Sequence, residues 1–431
     1  MKKHNIERLT DPHTGDVCCR IRHASGLEIR VMEMPGFSTA YAQFGTRFGS
    51  VHTRFQIGET TVQVPEGTAH YLEHKLFEKE DGDISAAFSR LGAADNAYTD
   101  FDRTVYHFQT QRNFPEALAV LLEFVQKPYF TPESIEKERG IIAQEILESL
   151  DDPATQAFMQ MLQGMYHRHP VRRHVLGSAE SIAAITPEIL YQCHAAFYRP
   201  ENMVLCCAGN VTLQQVLEAA DRILLPAPAS QARGVLLLPD EPQTVRRKTM
   251  QRKMEVGKTQ FCIGFKSPPA APEQQMRESL LVLLTADLLI GEIAPLHREL
   301  LASGLINDTF STDCCFGDSW FTFFAEGESD DPQAVLNALL CEITRMQTEG
   351  IDSAHFAALK RAAYGEAVLG MNDPGTACDI LLESYFAGSG SPFDRTEILA
   401  SIRQEDVQEC LRTRFCADQI CLSVIAPEYS F

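Results

Sequence analysis

Two stretches of the chain repeat each other at a fixed distance. Glu138-Arg139-Gly140-Ile141-Ile142-Ala143-Gln144-Glu145, closed by Asp152-Pro153, aligns with Leu359-Lys360-Arg361-Ala362-Ala363-Tyr364-Gly365-Glu366, closed by Asp373-Pro374. The offset is constant, since 366 − 145 and 374 − 153 both equal 221. A single stretch rich in Pro, Ala and Ser, residues 224–243, lies between long periodic segments of similar length. A constant offset across one linker is the mark of a duplicated architecture. The expected division is an N-terminal domain over 1–223, a linker over 224–243 and a homologous C-terminal domain over 244–431, and 431 residues suit two domains of ordinary size.

The local patterns specify the class of those domains. Residues 17–56 alternate apolar and polar positions between turn residues, which reads as a strand meander. Pro65-Glu66-Gly67 stops it, and a helix is expected from Thr68 to about Phe77. After a second helix, Gly92-Ala93-Ala94-Asp95-Asn96 is expected to turn into strands over 97–110. Residues 114–124 and 132–150 have helical periodicity, the latter opened by Thr131 as N-cap with Pro132 at the first helical position. Helices around 155–197 and the apolar strand Met203 to Ala208 complete the half. The fold class is α+β, with mostly antiparallel sheets packed by helices.

Composition narrows the function. With 45% hydrophobic and 22% charged residues the chain is a folded one. Lys plus Arg is 38 against 58 for Asp plus Glu, a net charge of −20, which disfavours nucleic acid or an anionic membrane as the main partner. The longest apolar run, Leu280 to Ile290, is interrupted by Thr285 and Asp287 and is far short of the roughly 20 residues that span a bilayer, so it is expected to be a buried helix. Met1 to Arg8 starts basic with no apolar core behind it, and secretion is not expected. The 13 cysteines are odd in number and include the adjacent pairs Cys18-Cys19, Cys206-Cys207 and Cys314-Cys315, with no Cys-x-x-Cys among them. Adjacent side chains on a strand point to opposite faces, so these pairs suit half-buried strands and reduced thiols in a cytoplasmic protein.

His70-Tyr71-Leu72-Glu73-His74 carries the chemistry. At about 100° per residue, His70 and His74 lie roughly 40° apart on one helix face with Glu73 within about 60° of His70. Two imidazoles one turn apart can ligate one zinc ion, and the carboxylate between them can take a proton from a metal-bound water. The pattern is that of the inverted zincins, His-x-x-Glu-His. A catalytic zinc site usually has a third protein ligand, which this short helix cannot supply. Glu138 and Glu145 fall on one face of the next long helix, about 10.5 Å apart along its axis, so one can reach the metal while the other supports a ligand histidine. Glu148 is a competing ligand, and spacing alone does not choose among the three.

The segment Pro65-Glu66-Gly67-Thr68-Ala69-His70-Tyr71-Leu72-Glu73-His74 resembles the signature of the insulinase, or pitrilysin, family of zinc metallopeptidases, in its bacterial single-module form. Residues 138–146 are similar to the segment bearing that family's third ligand, which implies zinc on His70, His74 and Glu145, with Glu138 as an accessory carboxylate. Leu176-Gly177-Ser178-Ala179-Glu180-Ser181-Ile182 and Phe197-Tyr198-Arg199-Pro200-Glu201-Asn202-Met203 resemble two further landmarks. The resemblance implies two homologous α/β-roll halves enclosing a clam-like chamber. It also implies an edge strand at Asn96, Ala97, Tyr98 and Thr99 that pairs with an extended peptide, and a metalloendopeptidase activity with Glu73 as general base.

The second half departs from the family. Leu301 and Asn307 stand where an Arg and a Tyr that help hold substrate are expected, Arg298 is out of register, and no second His-x-x-Glu-His occurs. The chain is therefore expected to work as half of a pair, with a related subunit lacking the zinc motif or else as a homodimer. The rival reading is a non-catalytic peptide-binding or processing subunit of such a complex.

Overall fold

The computed structural model describes residues 4–80, 82–226 and 232–428. The chain forms two compact units, each assembled from three segments. Unit one takes the chain up to Ile146 together with Arg173–Leu238 and Val368–Phe393. Unit two takes Leu147–Arg172, Pro239–Ala367 and the residues from Asp394 onward.

The sheet of unit one runs in the order Ile6–Thr10, Val17–Arg22, Glu28–Glu33, Met203–Gly209, Ala40–Thr46, Thr104–Thr110 and Ala93–Thr99. Only the Glu28–Glu33 and Met203–Gly209 pair is parallel. One face packs Ile29, Phe44, Tyr106 and Leu205 against helices that include Phe114–Gln126. The other packs Met32, Val105 and Val204 against helix Pro374–Phe386. Cover on both faces corrects the expectation of half-buried strands for two cysteine pairs. Cys18 and Cys206 enter the core under helix Pro374–Phe386 while Cys19 and Cys207 enter the opposite one, so all four are buried. Cys314 and Cys315, on the edge strand Ser311–Gly317 of the other sheet, are partly exposed as expected.

The sheet of unit two runs Thr249–Met254, Ile420–Pro427, Gln260–Ser267, Trp320–Glu328 and Ser311–Gly317, again with the first pair parallel and the rest antiparallel. This is the order and sense of the last five strands of the first sheet, so the duplication is topological. Leu280 to Ile290 lies in the helix Gln275–Ile290, in the core of this unit.

The units do not follow the sequential halves. Two of the crossings lie just ahead of the repeated Asp-Pro. The chain changes unit between Ile146 and Leu147 and between Ala367 and Val368, a few residues ahead of each Asp-Pro, where Asp152 and Asp373 cap the next helix by accepting from Thr155 N and Thr376 N. Helix Pro153–Met165 packs on unit two, where Gly264 gives it room: a Cβ there would lie 2.3 Å from Met161 Sδ. Helix Pro374–Phe386 packs on unit one, where a Cβ on Gly45 would lie 3.1 Å from both Leu382 and Phe386. The contacting positions keep the offset, since 382 − 161 and 386 − 165 are both 221.

Two further boundaries differ from expectation. Gly92, at φ 74°, already caps helix Ser85–Leu91, so the strand begins at Ala93, and the reversal falls at 100–103, where Asp100 N donates to Arg103 O. Within the expected linker 224–243, residues 227–231 lie outside those described, and Gly234–Leu236 is a strand paired with Arg54–Ile57.

The end of that linker carries a buried knot in unit two. Glu241 accepts from the backbone N–H groups of His167, Arg168 and His169 at 2.8–2.9 Å and from Lys266 Nζ at 2.7 Å. Burial opposes its charge, but Lys266 and the three N–H groups outweigh burial and hold the carboxyl down at about 2. A depressed carboxyl stabilises the fold above its unfolded value, and this contribution is lost as pH falls from about 4.5 toward 2. Glu241→Gln should lower stability at pH 7 by about 3 kcal/mol, the order found when one partner of a buried ion pair is removed. Denaturant titrations at pH 7 and pH 4 check this, and the difference between variant and wild type should shrink at the lower pH.

Candidate metal centre

Helix Thr68–Phe77 begins at Gly67, whose φ of 85° is left-handed. A Cβ on Gly67 would fall 2.4 Å from Leu176 O, and one on Gly177, at φ 76°, would fall 2.6 Å from Glu66 O. The segments 65–74 and 176–182 are therefore packed backbone to backbone, and Arg173 Nε adds an ion pair to Glu66 at 3.2 Å. The third landmark is structural too. Asn202 Nδ2 donates to Phe197 O and Arg47 O, tying the turn to the central strands.

Eight of the ten residues of this helix are buried. It is locked to the helix Pro132–Asp151 along one side. Tyr71 OH donates to Ile135 O, and Lys75 Nζ donates to Ser134 O at 3.2 Å and to Glu78. One residue around the helix, His74 Nδ1 pairs with Glu138 Oε1 at 3.0 Å. Glu145 then falls opposite both imidazoles, its Oε2 lying 3.7 Å from His70 Nε2 and 3.6 Å from His74 Nε2. Ligand atoms of these three residues all lie within 4.8 Å of one another, the one such group among the described residues. Glu148 is exposed and outside it.

This donor set fits a zinc ion. Bonds of 2.0–2.1 Å in a tetrahedron put neighbouring ligands about 3.3 Å apart, a few tenths of an ångström below the two separations between Glu145 and the imidazoles. Two imidazole nitrogens and one carboxylate oxygen also leave a fourth position for water or substrate. Glu138 holds His74 by its second nitrogen, as the partners of ligand histidines do. His70 Nδ1 is buried with no hydrogen-bond partner.

The electrostatics differ from residue to residue. Burial, with the neighbouring His74 and His174, pulls His70 down to about 3, so its imidazole is neutral at pH 7. Burial also opposes charge on His74, but Glu138, Glu145 and Glu73 outweigh it and raise that group. Burial opposes charge on Glu138 as well, but its bond to His74 together with the charges of His74, Lys75 and Lys137 outweighs burial and lowers that carboxyl. Glu73 is raised by burial, against the opposing effects of Thr99 and His74.

Glu73 and His74 open on a cavity of about 700 Å³ lined also by Asn96, Ala97, Glu138 and Ile141. Ala93–Thr99 is the edge strand of its sheet. Asn96 and Ala97 reach the cavity, whereas Tyr98 is 41% exposed and meets the ring of His107 edge-on. The Thr99 side chain is engaged elsewhere: its Oγ1 donates to Glu73 Oε2 at 2.5 Å. Sequence reasoning assigned Thr99 only to a peptide-binding strand. The alternation that brings Asp95, Ala97 and Thr99 to one face was the available signal.

The family model described as Insulinase (Peptidase family M16) matches residues 62–179, and that described as Peptidase M16 inactive domain matches residues 184–363. An uncharacterized zinc protease of Bacillus subtilis, YmfH, is 33% identical over 94% of this chain and 95% of its own length. The chain belongs to the insulinase family, peptidase family M16. This insulinase-family chain also superposes on the crystal structure of an M16-like peptidase from Alicyclobacillus acidocaldarius with a TM-score of 0.92 and 28% identity, over 97% of this chain and 100% of the other. A protease from Helicobacter pylori shares the fold, with a TM-score of 0.82 at 17% identity, over 99% of this chain and 100% of that one.

Proposed function

We propose that this chain is a zinc-dependent metalloendopeptidase that hydrolyses extended peptides. The observation that carries the reading is the convergence of His70 Nε2, His74 Nε2 and Glu145 Oε2 beside the buried Glu73 carboxylate. His70, His74 and Glu145 would hold the metal, and Glu138 would orient His74. When bound, zinc supplies Lewis acidity, which polarises a carbonyl and makes water acidic enough to lose a proton near neutral pH. Glu73 then has two proton-handling tasks. Its free oxygen takes a proton from the attacking water, and the same oxygen returns it to the nitrogen of the leaving amine. Burial suits both, because a carboxyl raised above its ordinary value holds the proton between the two steps. The peptide would lie along the open edge of Ala93–Thr99, gaining affinity from backbone hydrogen bonds, with Asn96 and Ala97 beside the cavity and Tyr98 on the outer face.

Glu73→Gln keeps the shape and removes the base. Metal analysis should find zinc retained while cleavage of a quenched peptide library falls by about 10²-fold or more, and wild-type turnover would sink the assignment.

The two helix carboxylates should separate in their effect on metal. Glu145→Gln removes a ligand oxygen and should lose most of the zinc at micromolar free metal. Glu138→Gln should weaken binding by about 10–100-fold, the usual cost of removing the partner of a ligand histidine. Greater loss from Glu138→Gln would exchange the two roles.

Pairing belongs to the same reading. Leu301 is an exposed apolar side chain, and the Asn307 amide is occupied by Glu328 Oε2 at 2.7 Å, so neither supplies the donors that the family resemblance leads one to expect there. We place the chain in the cytoplasm with a related subunit, or a second copy of itself, that supplies them. Sedimentation of the purified chain, and turnover with and without a related chain lacking His-x-x-Glu-His, test this. A monomer of full activity, unchanged by the addition, ends the pairing.

A further inference from the structure

We propose that Thr99 is a positioning residue for Glu73, its hydroxyl, packed against the buried Thr104, fixing which carboxylate oxygen faces the substrate. The inference rests on the reading of Glu73 as general base and adds to it the device that aims the base.

Thr99 ends the edge strand, in register with Thr104 on the neighbouring strand. Thr99 Oγ1 donates to Glu73 Oε2, and it lies 3.2 Å from Thr104 Oγ1. Thr104 is fully buried and gives its own proton to Phe48 O at 2.8 Å. A hydroxyl has one proton, so with Thr99 giving its own to Glu73 and Thr104 its own to Phe48, the two hydroxyls touch without a bond between them, and Thr104 backs Thr99 by contact. Behind it, the phenol of Tyr198 interacts with Thr104 and bonds to Tyr106 OH at 2.8 Å. Tyr106 is fully buried, and the Tyr198 ring stacks on His194, whose Nε2 pairs with Val125 O. The hydroxyl that holds Glu73 is therefore backed, through contact with Thr104, by rigid core. Neither tyrosine is among the residues that line the cavity.

The consequence is mechanical. A glutamate has three side-chain torsions, and a helix constrains mainly the first of them. The Thr99 hydroxyl fixes Oε2 from the side of the sheet, leaving Oε1 as the oxygen free to reach a proton. The strand that would register the peptide backbone thus also aims the base, so both are set on one rigid piece. Because a hydroxyl can accept as well as donate, the contact survives when the carboxylate carries a proton.

A hydroxyl that merely satisfied a buried carboxylate would affect stability and leave turnover alone. Four variants of the full chain decide between the two roles: Thr99→Val, Thr99→Ser, Tyr198→Phe and Glu73→Gln. Each is loaded with zinc and measured for zinc content, melting temperature, and kcat and KM on one quenched fluorescent peptide. Thr99→Val should keep its zinc and a KM within about twofold of wild type while kcat falls about 10–100-fold, part of the 10²–10⁴ that a positioned base contributes. Thr99→Ser should recover most of that loss. Tyr198→Phe, which leaves residue 99 intact and serves also where valine prevents folding, should lower kcat about threefold. A crystal structure of Thr99→Val should show the Glu73 carboxylate turned away from its wild-type position. An inactive Glu73→Gln beside Thr99→Val and Tyr198→Phe with wild-type kcat would overturn this inference and leave the general-base reading standing. A fully active Glu73→Gln would bring down both.

Discussion

Everything at the centre depends on the lock between helix Thr68–Phe77 and helix Pro132–Asp151. The residues that meet are 59 or more positions apart in sequence, and a metal site tolerates errors of only about 0.5 Å. Tyr71 and Lys75 set the separation of the two helices by donating to backbone carbonyls, which cannot move without unwinding a turn. With the separation set, His74 meets Glu138, and Glu145 two turns further on meets both imidazoles. Gly67 and Gly177 hold the start of the first helix from the other side, where no residue with a Cβ fits.

The lock also shows how a sequence pattern succeeds and where it stops. His70, Glu73 and His74 were legible because their spacing alone places them on one face of a helix, and Glu138 with Glu145 because seven residues return to the same face. Choosing Glu145 over Glu148 required knowing how the long helix turns against the short one, and that is fixed by Tyr71 and Lys75, which carry no signal of chemistry. Thr99 was read as part of a strand because its bond to Glu73 joins elements whose relative position no local pattern encodes. The three landmark segments were visible only as likeness, and their physical meaning, two backbones in contact and a turn tied by Asn202, is tertiary.

The same limit explains the fold. Two duplicated α+β modules were readable from the offset of 221, and the sheets repeat one another in order and direction. The assignment of helices to sheets was not, because an amphipathic helix presents its apolar face without naming the sheet that receives it. Small residues on the sheets decide it. Gly264 admits the two methionines of helix Pro153–Met165, and Gly45 admits Leu382 and Phe386 of helix Pro374–Phe386. Covered on both faces, the first sheet then buries side chains at every position of Met203–Gly209, which is why adjacent cysteines there are both inside.

Within a few ångströms the site holds three carboxylates of one chemical type in three environments. Glu138 is anchored to His74 and driven toward the ionised form, which suits a group whose task is to keep an imidazole oriented. Glu145 is about one-third exposed and opposes both histidines, where the proposed reading puts an oxygen ligand. Glu73 is buried and its carboxyl is raised, held by a neutral hydroxyl instead of a cation. A general base must release what it takes, and a carboxylate paired with a fixed positive charge would be too weak an acceptor. On the proposed reading, holding Glu73 with Thr99 instead of a lysine or arginine would give it a fixed orientation without that loss of basicity, and this difference of partner would divide the work among three otherwise equivalent side chains.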